Sequence, residues 1–450
     1  GTEVTAEDGT GLVHMAMYGE FDYQQIKKYD LPLIQHVGNQ GKLIGGPEEW
    51  ADTWFKKADE KVLTDLKERG LLYAYKKYTH PYPFCYRCET PLFYNAVSSW
   101  FVNIQKIKKE LLSKNEDIHW HPDHLKHGRF KNNVTKAPDW SISRNRFWAT
   151  SLPIWKSEDG TIVKVIGSVA ELRSLATTEL PEEVDLHKHK MDPIKLKDPE
   201  TGQILIRIPE VLDCWFEASS MPYASEHYPF ADKDRFNERF PADFISEYVA
   251  QVRTWFYYMH AIGVLLMGRA PFKHVVVTGT ILAEDGQKMS KSKKNFPDPN
   301  LIFEKYGADA LRFYLMQSNL MKAQDLNFKE SSLNEIYRKV IVILSNVARF
   351  YTLFGQGNKD LSSPSTENVL DKWIVSETHK LVKECTNSLD EYDTVVACHS
   401  IWNFVDDLST WYVRRSRDRF KSEDVAVREP ALKTFAWVLH TLGKVIAPIC

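Results

Sequence analysis

The sequence predicts an α/β fold followed by an α-helical bundle, and three observations carry that reading. A short strand-like run, Asp243–Glu247, leads into a long apolar segment, Val249–Met267, and then into the β-branched run His274–Val277. Such a run, apolar without alternation, suits a strand buried on both faces of a parallel sheet. Strand–helix–strand in one sheet implies a right-handed crossover. Residues 157–212 hold the strand-like runs Thr161–Ile166 and Ile204–Ile208, which read as a small β-containing insertion. From about residue 330 the apolar period becomes i, i+3, i+4, i+7 over Leu333–Phe354, Asn368–Leu389 and Val395–Phe420, the pattern of a helical bundle.

The remaining elements follow in chain order. Gly9-Thr10-Gly11 precedes an apolar pair, Leu12-Val13, that reads as a strand. Lys61–Arg69 reads as an amphipathic helix stopped by Gly70. Residues 81–150 are rich in Pro, Trp and Tyr and show no clear period. Pro430–Ala447 reads as a helix with no capping residue after it. No initiator Met, signal peptide or transit peptide opens the chain at Gly1. Both ends therefore read as cut, and an internal piece of a longer protein is expected.

Composition excludes several classes. The 450 residues allow roughly three domains at about 150 residues each. With 43% hydrophobic and 26% charged residues, the chain is neither disordered, nor a collagen-like fibre, nor a disulfide scaffold. No apolar run reaches the roughly 18–20 residues of a membrane span. The net charge of −2 announces no nucleic-acid partner, so any such contact must come from a local patch. Of six cysteines only Cys85 and Cys88 lie close together, which points to a reducing compartment, the cytoplasm.

The chemistry concentrates after His274–Val277. There the chain reads Thr278-Gly279-Thr280-Ile281-Leu282-Ala283-Glu284-Asp285-Gly286-Gln287-Lys288-Met289-Ser290-Lys291-Ser292. Ligands of open α/β sheets bind beyond the carboxyl ends of parallel strands. Two ammonium groups on a Gly-containing loop there suit a polyphosphate whose charge rises in the transition state. The plain alternative is a solvated Lys/Ser loop.

That run reproduces the KMSKS motif of class I aminoacyl-tRNA synthetases, and nearly the whole chain resembles the isoleucyl-tRNA synthetase family. Ile142-Ser143-Arg144-Asn145-Arg146-Phe147-Trp148 resembles the family's ISRNRYW segment, where valine and leucine enzymes carry Gln in place of the Asn. Asp213-Cys214-Trp215-Phe216-Glu217 with Ser220-Met221-Pro222-Tyr223 resembles its DxWF(D/E)SGSMPYA. Trp255-Phe256-Tyr257, after Gln251 and Arg253, resembles its (T/H)RGWF helix. Trp411-Tyr412-Val413-Arg414-Arg415-Ser416-Arg417 resembles the WYxRRSR helix of its anticodon-binding domain.

The resemblance implies the second half of a Rossmann catalytic domain. The end of a β-rich editing insertion would precede it and an anticodon-binding bundle follow it: residues 1–90, 91–322 and 323–450, with the small insertion at about 157–212. Isoleucine would be joined to tRNA(Ile) through an adenylate, with ATP and Mg²⁺, by a protein that is monomeric at full length. Lys288 and Lys291 would stabilise the β,γ-phosphates during in-line attack on the α-phosphate. Gly279, Met289, Ser290 and Ser292 would complete the ATP contacts; locally, Gly279 also reads as a turn glycine. Glu247 and Gln251 would hold the aminoacyl-adenylate, although Tyr248 and Ala250 replace the family's nearby Gly and Asp. Without the resemblance they read as surface or strand-end residues. Trp215 and Trp255 would wall the aliphatic pocket, where buried Trp is otherwise core.

Three further sites are implied. Gly9-Thr10-Gly11-Leu12-Val13-His14 followed by Asp22 resembles the editing pocket, with Met17 near the family's Pro and a shortened His14–Asp22 spacing. Editing is needed because one methylene in an apolar pocket separates isoleucine from valine by only about 1–3 kcal/mol. Cys85 and Cys88 read either as half of a Cys₄ zinc site or as a reduced structural pair, while Cys214, Cys385 and Cys398 read as buried apolar residues. Trp411, Arg414, Arg415 and Arg417 suit RNA backbone and base stacking, against a helix laced by ion pairs to Asp406, Asp407 and Asp418.

None of the 15 histidines stands in an H-x-G-H context, so this chain alone is expected not to activate isoleucine. The alternatives are a non-catalytic tRNA-binding or stand-alone editing relative, and a valine or leucine ligase.

Overall fold

The computed structural model describes residues 14–85, 88–290, 294–355 and 361–450. The chain forms two compact units, Gly1–Ser99 and Trp100–Cys450.

In the first unit, helix α1 spans Glu20–Lys28 and α2 spans Phe55–Glu68. Helix α2 begins six residues before the expected Lys61. Its first turn is charged in sequence but anchored by aromatic packing, with Phe55 4.9 Å from Trp54 and 5.3 Å from Phe93 between ring centroids. Gly70, at φ +66°, lies just beyond its end. The expected strand Leu12-Val13 lies outside the described residues.

The second unit opens with α3 (Ile104–Asn115) and β1 (His119–His121), within the stretch that shows no period in sequence. The insertion is a four-stranded antiparallel sheet of β2 (Ile154–Ser157), β3 (Val163–Val165), β4 (Lys195–Lys197) and β5 (Ile204–Arg207), ordered β3-β2-β5-β4. Trp155 and Leu205 fill its core at 0% exposure. Helix α4 (Cys214–Ala224) follows, then β6 (Ala242–Tyr248), α5 (Trp255–Met267) and β7 (Phe272–Thr278). Strand β7 is central, parallel to both β6 and β1, with Glu247 beside Val277 and Tyr248 beside Thr278. The strand–helix–strand reading stands, but the helix does not run unbroken from Val249. A tight 3₁₀ turn, Val249–Arg253, precedes it, and Thr254 leaves helical geometry at φ −125°, ψ −104°.

Helix α5 is apolar on nearly every face because it is covered on nearly every face, with Phe256, Met259, Ala261, Ile262 and Val264 all buried. His260 is caught in this core at 0% exposure. Its Nε2–H donates to the Leu111 carbonyl at 2.8 Å, and its Nδ1 has no partner. Protonation would therefore bury a charge and an unmatched donor, and burial holds the pKa down at about 4. The unfolded chain takes up this proton near pH 6.5, and the folded chain refuses it until about pH 4. Stability from the neutral ring is whole above pH 6.5 and is lost as pH falls toward 4, by about 3 kcal/mol in all. His260→Gln should flatten the loss of urea stability between pH 7.5 and 4.5 by that order. An unchanged pH slope would remove His260 from the account.

Beyond β7 come β8 (Ile281–Leu282), α6 (Pro299–Met316) and β9 (Leu326–Asn327), with β8 and β9 parallel. The bundle contains α7 (Val342–Phe354), α8 (Val369–Asp390), α9 (Thr394–Asp406), α10 (Arg414–Phe420) and α11 (Val425–Ile446). A π-helical stretch, Asp407–Val413, joins α9 to α10. Tyr412, Phe420 and Phe435 meet in its core at 0% exposure. The turn between α8 and α9 docks on the parallel sheet. Tyr392, at φ +61°, sets its ring 5.5 Å from both Phe244 and His274 and 6.1 Å from His119. No described helix is long and apolar enough to cross a membrane.

Candidate functional site

The carboxyl ends of β6 and β7 set the site. Glu247 is the penultimate residue of β6, exposed, its carboxylate near its own chain at Tyr248 N–H (3.2 Å). Gln251 sits in the tight turn after β6. Its carboxamide oxygen accepts from the Thr254 hydroxyl at 2.5 Å and from the Trp255 N–H at 3.1 Å. It therefore caps α5, satisfying one of the donors that a helix N-terminus leaves open. Gln251 therefore stands ahead of the helix, which begins at Trp255 and not at Val249. Trp255 is the first residue of α5, and the Trp215 ring stacks 6.1 Å from Tyr258, one turn further along. The structure thus brings Glu247, Gln251 and Trp255 to one end of the sheet, with Trp215 on the helix packed beside α5.

Helix α4 is held there by Asp213, a buried carboxylate that the sequence shows only as one letter of a motif. Trp140 Nε1–H donates to it at 3.0 Å and Arg144 pairs with it at 3.2 Å. Arg144 belongs to the segment 142–148, so two separate motifs share one buried anchor. Cys214 is exposed rather than buried, its Sγ 3.7 Å from Asp213 Oδ1; Cys385 and Cys398 are buried as expected.

Gly279 follows β7 directly. Its N–H donates to the Leu320 carbonyl at 2.7 Å, and a Cβ there would lie 1.8 Å from the Gln324 carbonyl oxygen. The glycine is therefore demanded by a close backbone crossing, not by a turn. The chain then pairs with β9 and folds back as a hairpin, with Lys288 bridged to Leu282 and Gly286 at φ +80°. Met289 and Asn295 line a cavity of about 260 Å³ with Phe296, Phe328 and Glu330. Lys291 and Ser292 lie outside the described residues.

In the first unit, His14 is exposed, and Asp22 Oδ2 accepts the Ala16 N–H at 3.2 Å in the first turn of α1. Asp22 is therefore engaged by its own local backbone. The Cys85 carbonyl accepts the Glu89 N–H at 2.9 Å, and Cys88 Sγ lies 3.1 Å from Thr90 Oγ1, a contact that lowers the thiol's pKa. Two thiols are half of what a closed zinc site takes. Among the described residues no group of three or more His, Cys, Asp or Glu converges, so the described residues do not make a zinc site.

The basic helix sorts its arginines by face. Tyr412, Ser416 and Phe420, four apart, are buried, while Trp411, Arg414, Arg415 and Arg417 are exposed. The Arg415 guanidinium lies 4.4 Å from the Trp411 ring centroid. The alternative reading, ion pairs from this helix to Asp406, Asp407 and Asp418, is not seen among the described residues; the pair that forms instead reaches a different helix. Arg419 turns inward and grips Asp371 with both nitrogens, at 2.8 and 2.5 Å.

Comparison with known proteins accords with this geometry. The family model "tRNA synthetases class I (I, L, M and V)" matches residues 18–329, and "Anticodon-binding domain of tRNA ligase" matches residues 371–450. The isoleucine–tRNA ligase of Chlamydia trachomatis is 42% identical over 99% of this chain, and that of Clostridium acetobutylicum 43% identical over all of it. The chain spans 43% and 44% of the length of those two relatives. A methionyl-tRNA synthetase of Mycobacterium tuberculosis, solved with methionyl-adenylate, shares the fold at TM-score 0.58 and 16% identity. The match covers 95% of this chain and 77% of that one. An α/β catalytic region followed by an anticodon-binding helical region, with these motifs in place, puts the chain in the class I tRNA synthetase family.

Proposed function

We propose that the protein containing this chain ligates isoleucine to tRNA(Ile) through an isoleucyl-adenylate formed from ATP. The observation that carries the reading is the Lys288 hairpin leaving the carboxyl end of the central parallel strand. An isoleucine carboxylate oxygen attacks the α-phosphorus, the bond to the α,β-bridging oxygen breaks, and pyrophosphate leaves; Mg²⁺ bound to the phosphates would supply further charge stabilisation. Lys288 and Lys291 offset the charge that builds on the β,γ-phosphates, with Gly279, Met289, Ser290 and Ser292 beside them. Glu247 takes the substrate ammonium. Gln251, its oxygen committed to the helix, offers its remaining N–H groups. Trp215 and Trp255 form the apolar wall for the branched side chain.

Residues 1–90 then end an editing region in which His14 and Asp22 receive mischarged valine. Residues 91–322 are the later half of the Rossmann catalytic domain, and residues 323–450 carry tRNA through Trp411, Arg414, Arg415 and Arg417. Cys85 and Cys88 are zinc ligands only if further donors come from outside the described residues. Strand β6 ends the three-stranded parallel sheet with no further strand paired to it among the described residues; such an open edge supports a missing neighbour. We read the chain as part of a cytoplasmic, monomeric synthetase and expect it not to activate isoleucine alone.

Pyrophosphate exchange by the full-length protein tests this. Isoleucine should drive it better than valine or leucine, and Lys288→Ala should lower kcat by about 10²–10³. A higher kcat/KM for valine or leucine would overturn the amino-acid assignment. Unchanged kinetics in Lys288→Ala would overturn the site.

A further inference from the structure

We infer that Asn295 is a positioning residue for adenylate formation, setting the direction in which Lys288 leaves the main chain. The inference rests on the role proposed for Lys288. Past its bridge to Leu282, the backbone at Lys288 leaves the hairpin. One side chain then takes over the work of a sheet ladder. Asn295 Oδ1 accepts the Ser290 N–H at 2.9 Å, and its Nδ2 donates to the Lys288 carbonyl at 3.2 Å. The chain also closes on itself, Lys294 N–H donating to the Ser290 carbonyl at 3.1 Å with Lys294 at φ +49°.

Main-chain groups on both sides of Met289 are thus tied to one planar carboxamide, which fixes the two peptide planes that flank Met289. The first of those planes borders the Lys288 Cα, and the plane on its other side is held where the Ala283 N–H donates to the Gln287 carbonyl at 2.9 Å, so the Lys288 Cα–Cβ bond takes its direction from the Asn295 contact and the hairpin together. Only a carboxamide can do this. It carries an acceptor and a donor on one carbon, spaced to meet an N–H and a C=O two residues apart. A carboxylate of the same size would accept from Ser290 but set oxygen against the Lys288 carbonyl. Positioning matters here because the lysine acts on charge that develops in the transition state, and catalytic groups lose effect steeply when displaced. A half-buried Asn that merely filled space would need no such pair of opposite bonds.

The test uses pyrophosphate exchange by the full-length protein. Asn295→Ala should lower kcat roughly tenfold to fiftyfold, the size of two lost hydrogen bonds, with KM for isoleucine unchanged. Asn295→Asp, which keeps the size and the Ser290 contact, should fall at least as far, because it loses the donor. Hydrogen exchange at the Ser290 amide should speed up in Asn295→Ala. The deciding measurement is a double-mutant cycle. If Asn295 acts through Lys288, adding Asn295→Ala to Lys288→Ala costs less than about threefold more. Losses that multiply would assign Asn295 a purely structural role and overturn the inference, as would kcat within twofold of wild type for both Asn295 variants. If Lys288→Ala is impaired while the Asn295 variants are not, this inference alone fails. If Lys288→Ala is itself unaffected, the proposed site fails and this inference falls with it.

Discussion

Asp371→Ala is expected to destabilise the helical region by about 3–5 kcal/mol, the cost of removing one partner of a buried ion pair. Asp371 has no exposed side-chain surface, and Arg419 keeps only 18% of its own. The carboxylate holds more than the guanidinium. Tyr412 O–H donates to Oδ1 at 2.8 Å and Thr366 O–H to Oδ2 at 3.2 Å. Alanine leaves a fully buried phenol and a hydroxyl without their acceptor, and leaves the guanidinium its contact to Asn368 Oδ1 at 3.1 Å but no counter-charge. The asymmetry of buried pairs supplies the control. Arg419→Met in the Asp371→Ala background removes the stranded charge and should recover part of the loss, so the two changes together cost less than their sum. Urea unfolding of both variants decides this. A midpoint for Asp371→Ala equal to wild type, or strict additivity, would show that the pair contributes nothing. Because Arg414, Arg415 and Arg417 share a helix with Arg419, the pair also fixes how that basic face is presented. Asp371→Ala should therefore weaken tRNA binding in the full-length protein even at temperatures where it remains folded.

What the sequence discloses is whatever has a period or a spacing. The β-branched run at His274–Val277, the helical period beyond residue 330 and the Lys/Ser motif all rest on neighbouring residues, and the structure carries the first as a strand and the second as helices. What stays hidden depends on residues far away along the chain. Strand β1 is three residues, His-Trp-His, too short and too polar to announce itself; it exists because β7 offers it an edge. The break at Thr254 is invisible inside an apolar run, since it is Gln251 that decides where the helix starts. Arg419 looks like its three neighbours in sequence. Only its place beside the buried seam of Tyr412, Ser416 and Phe420 separates it from them, and that four-residue spacing was a readable signal. Asn295 had none: it lies beyond the motif, and its partners are main-chain atoms. Asp371 likewise passes for an ordinary first-turn acid of α8 until Arg419 comes into view.

Gly279→Ala should cost more than about 3 kcal/mol, beyond the usual range for overpacking. The added carbon would fall 1.8 Å from the Gln324 oxygen, 2.4 Å from its carbonyl carbon and 2.9 Å from its nitrogen. These are backbone atoms, so no side chain can swing away; one of the two segments must move. The crossing is also where the motif hairpin is fastened. Gly279 N–H donates to Leu320 O at 2.7 Å, Leu326 N–H to Thr280 O at 2.9 Å, and Phe328 N–H to Leu282 O at 2.9 Å. Parting the segments breaks this run of bonds in sequence and frees the frame from which Lys288 projects. Gly286 makes the natural comparison. It needs a positive φ of +80°, but its nearest neighbour to a new Cβ is 3.6 Å away. Gly286→Ala should therefore cost only the conformational strain, about 1–2 kcal/mol. Hydrogen exchange over residues 280–288 and 324–328 separates the two cases. In Gly279→Ala both stretches should lose protection together, with pyrophosphate exchange falling in parallel. In Gly286→Ala the loss should stay within the hairpin tip. Equal protection of residues 324–328 in both variants would mean that the two backbones can part without consequence, and the close crossing would not be what requires glycine at this position.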